Sequence, residues 1–110
     1  MIFLYDPKSD IVEIDESLSE LIPGFLENRK RDAEILLAAC QVGDIETLKS
    51  KGHTLKGVCG SYGFEKLSAL GAQIETQANS ESIEQMIQTI TTFKDFLNSV
   101  EVRYVPAQEW

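Results

Sequence analysis

The stretch Lys49-Ser50-Lys51-Gly52-His53-Thr54-Leu55-Lys56-Gly57-Val58-Cys59-Gly60, residues 49–60, contains the only histidine of the chain, with a glycine directly before it and another one turn after it. Setting His53 at zero on a helical wheel and advancing about 100° per residue brings Glu46, Lys49, Lys56, Gly57 and Gly60 to within roughly 60° of it. Leu48, Leu55, Val58, Cys59 and Tyr62 fall on the other side, an apolar stripe directed away from the imidazole. His53 therefore points to solvent. A glycine inside a helix costs roughly 1 kcal/mol relative to alanine, yet this helix holds Gly52, Gly57 and Gly60. A face kept this bare lets another protein approach the ring.

The rest of the chain reads as helical on the same period. A first core helix is expected over about Leu18–Gln41 through Leu18, Leu21, Ile22, Phe25, Leu36, Leu37 and Cys40. Pro23 should break or kink it near its start, because proline has no amide proton and clashes with the preceding turn. Gly43 ends this helix and Asp44 caps the next, which runs from about Ile45 to Tyr62 and stops at Gly63. A third covers Phe64–Ala78 through Leu67, Leu70, Gly71, Ile74 and Ala78, with Asn79 as terminator. The last opens at a Ser82-x-x-Gln85 capping box and reaches about Val102 through Ile83, Met86, Ile87, Ile90, Phe93, Leu97 and Val100. Short connections make neighbouring helices antiparallel, so the fold class is all-α, an up-and-down four-helix bundle. Residues 1–14 are expected to form an arm packed on it, because Ile11-Val12-Glu13-Ile14 alternates like a short extended segment and Pro7 precludes one continuous helix. Residues 15–105 form the bundle, and residues 106–110, closing at Trp110, form a frayed tail.

Composition removes whole classes of function. With 110 residues the chain supports one core. Its 43% of hydrophobic residues include no apolar run long enough to span a bilayer. Met1-Ile2-Phe3-Leu4-Tyr5 has neither a basic leader nor a small-residue cleavage site, so cytoplasm is the expected compartment. Cys40 and Cys59 lie on apolar helix sides, where reduced cysteines act as small hydrophobes. Eighteen acidic residues against ten basic give a net charge of −8, which opposes binding to nucleic acid or an anionic membrane. The one basic cluster, Arg29-Lys30-Arg31, is followed by Asp32 and Glu34 and reads as a solvated helix face. One histidine, no Glu-x-x-His pair and no clustered cysteines match no metal site, and no glycine-rich phosphate loop points to a nucleotide. No cofactor is expected.

His53-Thr54-Leu55-Lys56-Gly57, followed by Gly63, Leu67, Leu70 and the Ile74-Glu75 pair, resembles the signature of histidine-containing phosphotransfer (HPt) domains. Leu21-Ile22-Pro23-Gly24-Phe25-Leu26-Glu27 and the Gly43-Asp44 break also look like that family, and the resemblance covers about residues 15–102. Ile74 stands where leucine is commoner, and Cys59 and Gly60 where Ser and Ala are usual. The resemblance implies a phosphocarrier without catalytic machinery of its own. His53 would accept a phosphoryl group from a receiver-domain aspartate through Nε2, with the receiver supplying the aspartate and Mg²⁺. Lys56 would pair with the phosphate, and Glu75 would orient the ring through Nδ1. Lys49 could add to the positive field. A response-regulator receiver or a hybrid histidine kinase is the expected partner and a monomer the expected state. The docking face is expected around Lys49, Gly52, Gly57 and Gly60, with Ile22 and Phe25 of the first helix. The competing reading is a helical module that holds a receiver or kinase without accepting phosphate. The opening methionine and the tail favour a stand-alone protein over one domain of a hybrid kinase.

Overall fold

The computed structural model describes residues 10–106. The expectations for Met1–Tyr5, Pro7 and Trp110 lie outside them. Four helices follow one another, α1 (Ile22–Val42), α2 (Ile45–Ser61), α3 (Glu65–Asn79) and α4 (Ile83–Ser99), between two strands, β1 (Ile11–Asp15) and β2 (Glu101–Val105). This is the all-α bundle read from the apolar spacing, with its short N-terminal arm.

The helix ends follow from their cap chemistry. Pro23 does not kink α1. It sits in the first turn, where its missing amide proton is no loss because first-turn donors have no intrahelical partner. The residues before it, Glu16–Leu18, form a single 3₁₀ turn capped by Asp15, whose carboxylate accepts from the Ser17 amide at 2.9 Å. Gly43 closes α1 in the left-handed region (φ 68°), a conformation glycine adopts without a Cβ penalty. Asp44 then caps α2, accepting from the Thr47 amide at 3.1 Å and the Thr47 hydroxyl at 2.7 Å. Those two bonds, the hydroxyl's first, hold its carboxyl below the usual aspartate value. Ser82 is the N-cap of α4, but its side chain makes no capping bond. The turn is held instead by the Ser82 amide donating to the Gln77 carbonyl at 3.0 Å.

The last helix stops earlier than the apolar period suggests. Val100 is extended (φ −66°, ψ 134°), and Glu101–Val105 pairs in parallel with Ile11–Asp15, Ile11 opposite Glu101 and Asp15 opposite Val105. Val100 and Val102 continue a hydrophobic spacing that a helix could also use, but Val100, Val102, Tyr104 and Val105 are β-branched or aromatic residues that suit a pleated strand better. Parallel strands need a long crossover, and here the crossover is the whole bundle. A two-stranded ribbon is marginal by itself. It is anchored by Ile14, which is buried with the helical core, and by Val12 and Val102 packed against it.

The core runs along the bundle through Leu36, Leu48, Leu55, Phe64, Leu67, Ile74, Met86, Ile90 and Phe93. Phe25 stacks on Tyr62 and Phe64, with ring centroids 4.5 and 5.0 Å apart, and joins α1 to the end of α2. The basic cluster is not all solvated. Arg29 lies over the Phe25 ring at 4.9 Å and donates from Nε to Asp32 at 2.8 Å. The other Asp32 oxygen meets Lys51 Nζ of α2 at 2.8 Å. Both oxygens of this buried carboxylate are thus satisfied, as burial of a charge requires. Cys40 and Cys59 are buried and unbonded to each other; burial pushes the Cys59 thiol up to about 12.

If the arm is part of the core, Ile14→Ala should destabilise the protein by about 2 to 4 kcal/mol, the cost of an unfilled buried isoleucine site. A denaturant titration measures this, and a midpoint equal to wild type would show that β1 merely rests on the bundle.

Candidate functional site

Two glycines set the spacing of α2 and α3. A Cβ placed on Gly52 would stand 2.8 Å from the Glu75 amide nitrogen and 2.9 Å from the Gly71 carbonyl oxygen. A Cβ on Gly71 would stand 2.8 Å from the Lys56 nitrogen and 3.0 Å from the Gly52 oxygen. Only hydrogen fits between these backbones. Ser68 of α3 adds a bond from its hydroxyl to the Lys56 carbonyl at 2.7 Å. Gly52 is therefore buried between helices and takes no part in an exposed docking face. Its wheel position, about 100° from His53, already set it apart from the histidine side, and Gly71 stands on the apolar stripe of α3.

One residue on from Gly52, His53 leaves the helix contact for solvent, its side chain 70% exposed. The close approach brings α3 near enough for Glu75, 24% exposed, to reach it: Nδ1 lies 3.0 Å from Glu75 Oε2. An ionised carboxylate only accepts hydrogen bonds. The contact therefore makes Nδ1 the protonated nitrogen of a neutral ring and leaves the lone pair on Nε2.

Around the ring, Gly57 has nothing within 4 Å of where a Cβ would be, and it is exposed. Gly60 is also exposed, but a Cβ there would come within 3.2 Å of the Ser68 hydroxyl, so its smallness also serves the contact with α3. Lys49 and Lys56 are both exposed, one turn before and one turn after His53. An open concavity of about 380 Å³ beside the ring is lined by Glu46, Lys49, Ser50, His53, Thr54 and Glu75. Serine and threonine hydroxyls join the site here, and neither charge nor glycine spacing marks them. Their wheel positions, about 60° and 100° from His53, would have found them.

Besides Gly52, two more residues expected in the docking face are not on the surface. Ile22 is 1% exposed and Phe25 5%, both committed to the core. Phe25 is held in the aromatic stack with Tyr62 and Phe64. The neighbour Leu21, 54% exposed, presents apolar surface at this end of α1 instead. Among the described residues no group of three or more His, Cys, Asp or Glu side chains could hold a metal ion, and no helix is long and apolar enough to cross a membrane.

A family model described as the Hpt domain matches residues 16–101. The chain belongs to the Hpt domain family. No curated protein and no solved structure matches it. Hpt domains serve histidine phosphotransfer in two-component signalling, as phosphocarriers rather than enzymes in general, and they interact with receiver domains and histidine kinases. The matched range takes in all four helices and ends at the first residue of β2.

The glycines of this Hpt domain should respond to alanine with opposite signs. Gly52→Ala forces α2 and α3 apart and should cost about 1 to 3 kcal/mol, as overpacking does. Gly57→Ala meets open space and should stabilise the helix by about 1 kcal/mol. Denaturant midpoints of the two variants check this; equal shifts would mean that the helix contact does not depend on Gly52.

Proposed function

We propose that the chain carries a phosphoryl group on His53 Nε2, exchanging it with receiver-domain aspartates in a phosphorelay. The observation that carries this reading is the exposed imidazole with Nδ1 held 3.0 Å from the Glu75 carboxylate. A ring orientated through Nδ1 presents the other nitrogen as nucleophile, and the carboxylate offsets the positive charge that develops on the ring.

In the step itself, the Nε2 lone pair attacks phosphorus of the aspartyl phosphate. The N–P bond forms as the aspartyl O–P bond breaks, and the aspartate leaves as a carboxylate. The Nδ1 proton stays on the ring, shared with Glu75. Reversal returns the group to a second aspartate, so the chain acts as a relay rather than a sink. The receiver brings the Mg²⁺ and acidic pocket that offset charge on the phosphoryl oxygens. On this side, the lysines flanking His53 contribute positive charge, and the open surface at Gly57 admits the partner's backbone and loops.

Transfer of labelled phosphate from a phosphorylated receiver tests the reading. His53→Gln should abolish acid-labile, base-stable label while helical content stays unchanged; uptake of such label by the variant would place the acceptor elsewhere. Gly57→Leu should fold normally and lose transfer, because its side chain lands beside His53 one turn on. Glu75→Ala should slow transfer and lose the preference for the Nδ1-protonated tautomer, which ¹⁵N chemical shifts of the imidazole read directly. An unchanged tautomer ratio would leave Glu75 without an orienting role. Binding of the receiver to wild type without any label would favour a docking module.

A further inference from the structure

Among the described residues the ribbon of β1 and β2 has no third strand, and no helix runs alongside either strand. Successive residues of a strand turn their backbone groups to opposite edges. The Glu101 amide donates to the Asp10 carbonyl at 2.8 Å. Glu101, Arg103 and Val105 therefore face β1, and Val102 and Tyr104 turn their amides and carbonyls to the outer edge. Among the described residues nothing pairs with that edge, and the Tyr104 side chain is exposed.

An open edge is a template for another chain, and charged side chains are a usual device against such pairing. β2 carries two, Glu101 and Arg103, on one face, with Arg103 Nε 2.8 Å from Glu101 Oε2 and both side chains more than half exposed. Their signs are opposite and they stand two residues apart, so they do not repel a second β2. In an antiparallel pair centred on Val102, the two Val102 residues exchange backbone hydrogen bonds, and each Tyr104 amide faces the partner's Val100 carbonyl. Glu101 then stands directly opposite the partner's Arg103, twice, in the closer kind of cross-strand pair. The four charges alternate around a square. β1 offers no such register, because its outer-edge residues are Ile11, Glu13 and Asp15, and a pair centred on Glu13 sets two carboxylates against each other.

We propose that β2 is the docking edge for a second copy of this chain, joined antiparallel about Val102 into a four-stranded sheet of order β1, β2, β2, β1. It replaces the monomer expected from sequence. The dimer leaves the imidazole open to receivers, since the His53 site is built from α2 and α3. A pair of five-residue strands is smaller than a standard interface, so the association is weak and shows at high protein concentration.

Sedimentation equilibrium on the full chain measures it. The average mass should rise from that of one chain at about 10 µM toward two at about 1 mM, the range of a small contact; one chain throughout overturns the proposal. Glu101→Lys and Arg103→Glu should each weaken association about tenfold, because two attractive cross-strand pairs become repulsive. Mixed in equal amounts, the two variants should associate with each other as tightly as wild type does, since every charge then meets its opposite. Val102→Pro removes an amide that points away from β1 and should abolish association. Thermal unfolding confirms that the variants fold. Association that persists in folded Val102→Pro, or a mixture no tighter than its components, places the contact on another surface and overturns this edge.

Discussion

The functional geometry depends on a contact between two backbones. At Gly52 and Gly71 the helices α2 and α3 approach so closely that a single methyl group on either would collide with main-chain atoms of the other. Main chain cannot rotate away as a side chain can, so at these two positions only hydrogen fits. His53 and Glu75 follow directly from it. His53 is the neighbour of Gly52, and the Glu75 amide is one of the atoms that bounds the contact. Two side chains 22 positions apart in sequence thus meet at 3.0 Å without a loop or a metal to bring them together. An orienting hydrogen bond is useful only if its partners are held to a fraction of an ångström.

The remaining elements hold that helix pair in place. α1 is tied to α2 by Asp32, whose two oxygens meet Arg29 and Lys51, and by the stack of Phe25 on Tyr62 and Phe64. Lys51 is two residues from His53, so the ion pair fixes the opposite side of the turn that presents the imidazole. The segments before and after the bundle are paired with each other as β1 and β2, with all four helices as the crossover between them. Ile14 carries that closure into the core.

Nucleophiles are sorted by burial. The two thiols are enclosed between helices, Cys59 with its thiol pushed up to about 12, where the thiolate is not formed at neutral pH. The imidazole, by contrast, stands in water with one nitrogen committed to Glu75. Of the imidazole and the two thiols, only the imidazole is open to solvent.

What the sequence alone determined was whatever depends on local periodicity and cap chemistry. The four helices, the breaks at Gly43 and Gly63, the outward position of His53 and the inward positions of Cys40 and Cys59 all follow from the 3.6-residue period, and the match of His53 to Gly57 named the family. Tertiary structure decided the rest, because it depends on which surfaces meet. Pro23 reads as a kink until α1 is seen to begin at Ile22, with only a separate 3₁₀ turn before it. Val100 and Val102 fit a helical stripe until a second strand is available to pair with them. Ile22 and Phe25 lie on the same apolar stripe as any surface anchor, and only tertiary packing, for Phe25 against Tyr62 and Phe64 of the α2–α3 connection, shows them to be core. On the wheel Gly52 stands about 100° from His53, off the bare face, but one helix does not record what it faces. Only the second helix, with Gly71 opposite, shows that the missing side chain makes room for backbone, because a glycine in isolation does not record which neighbour needs the space.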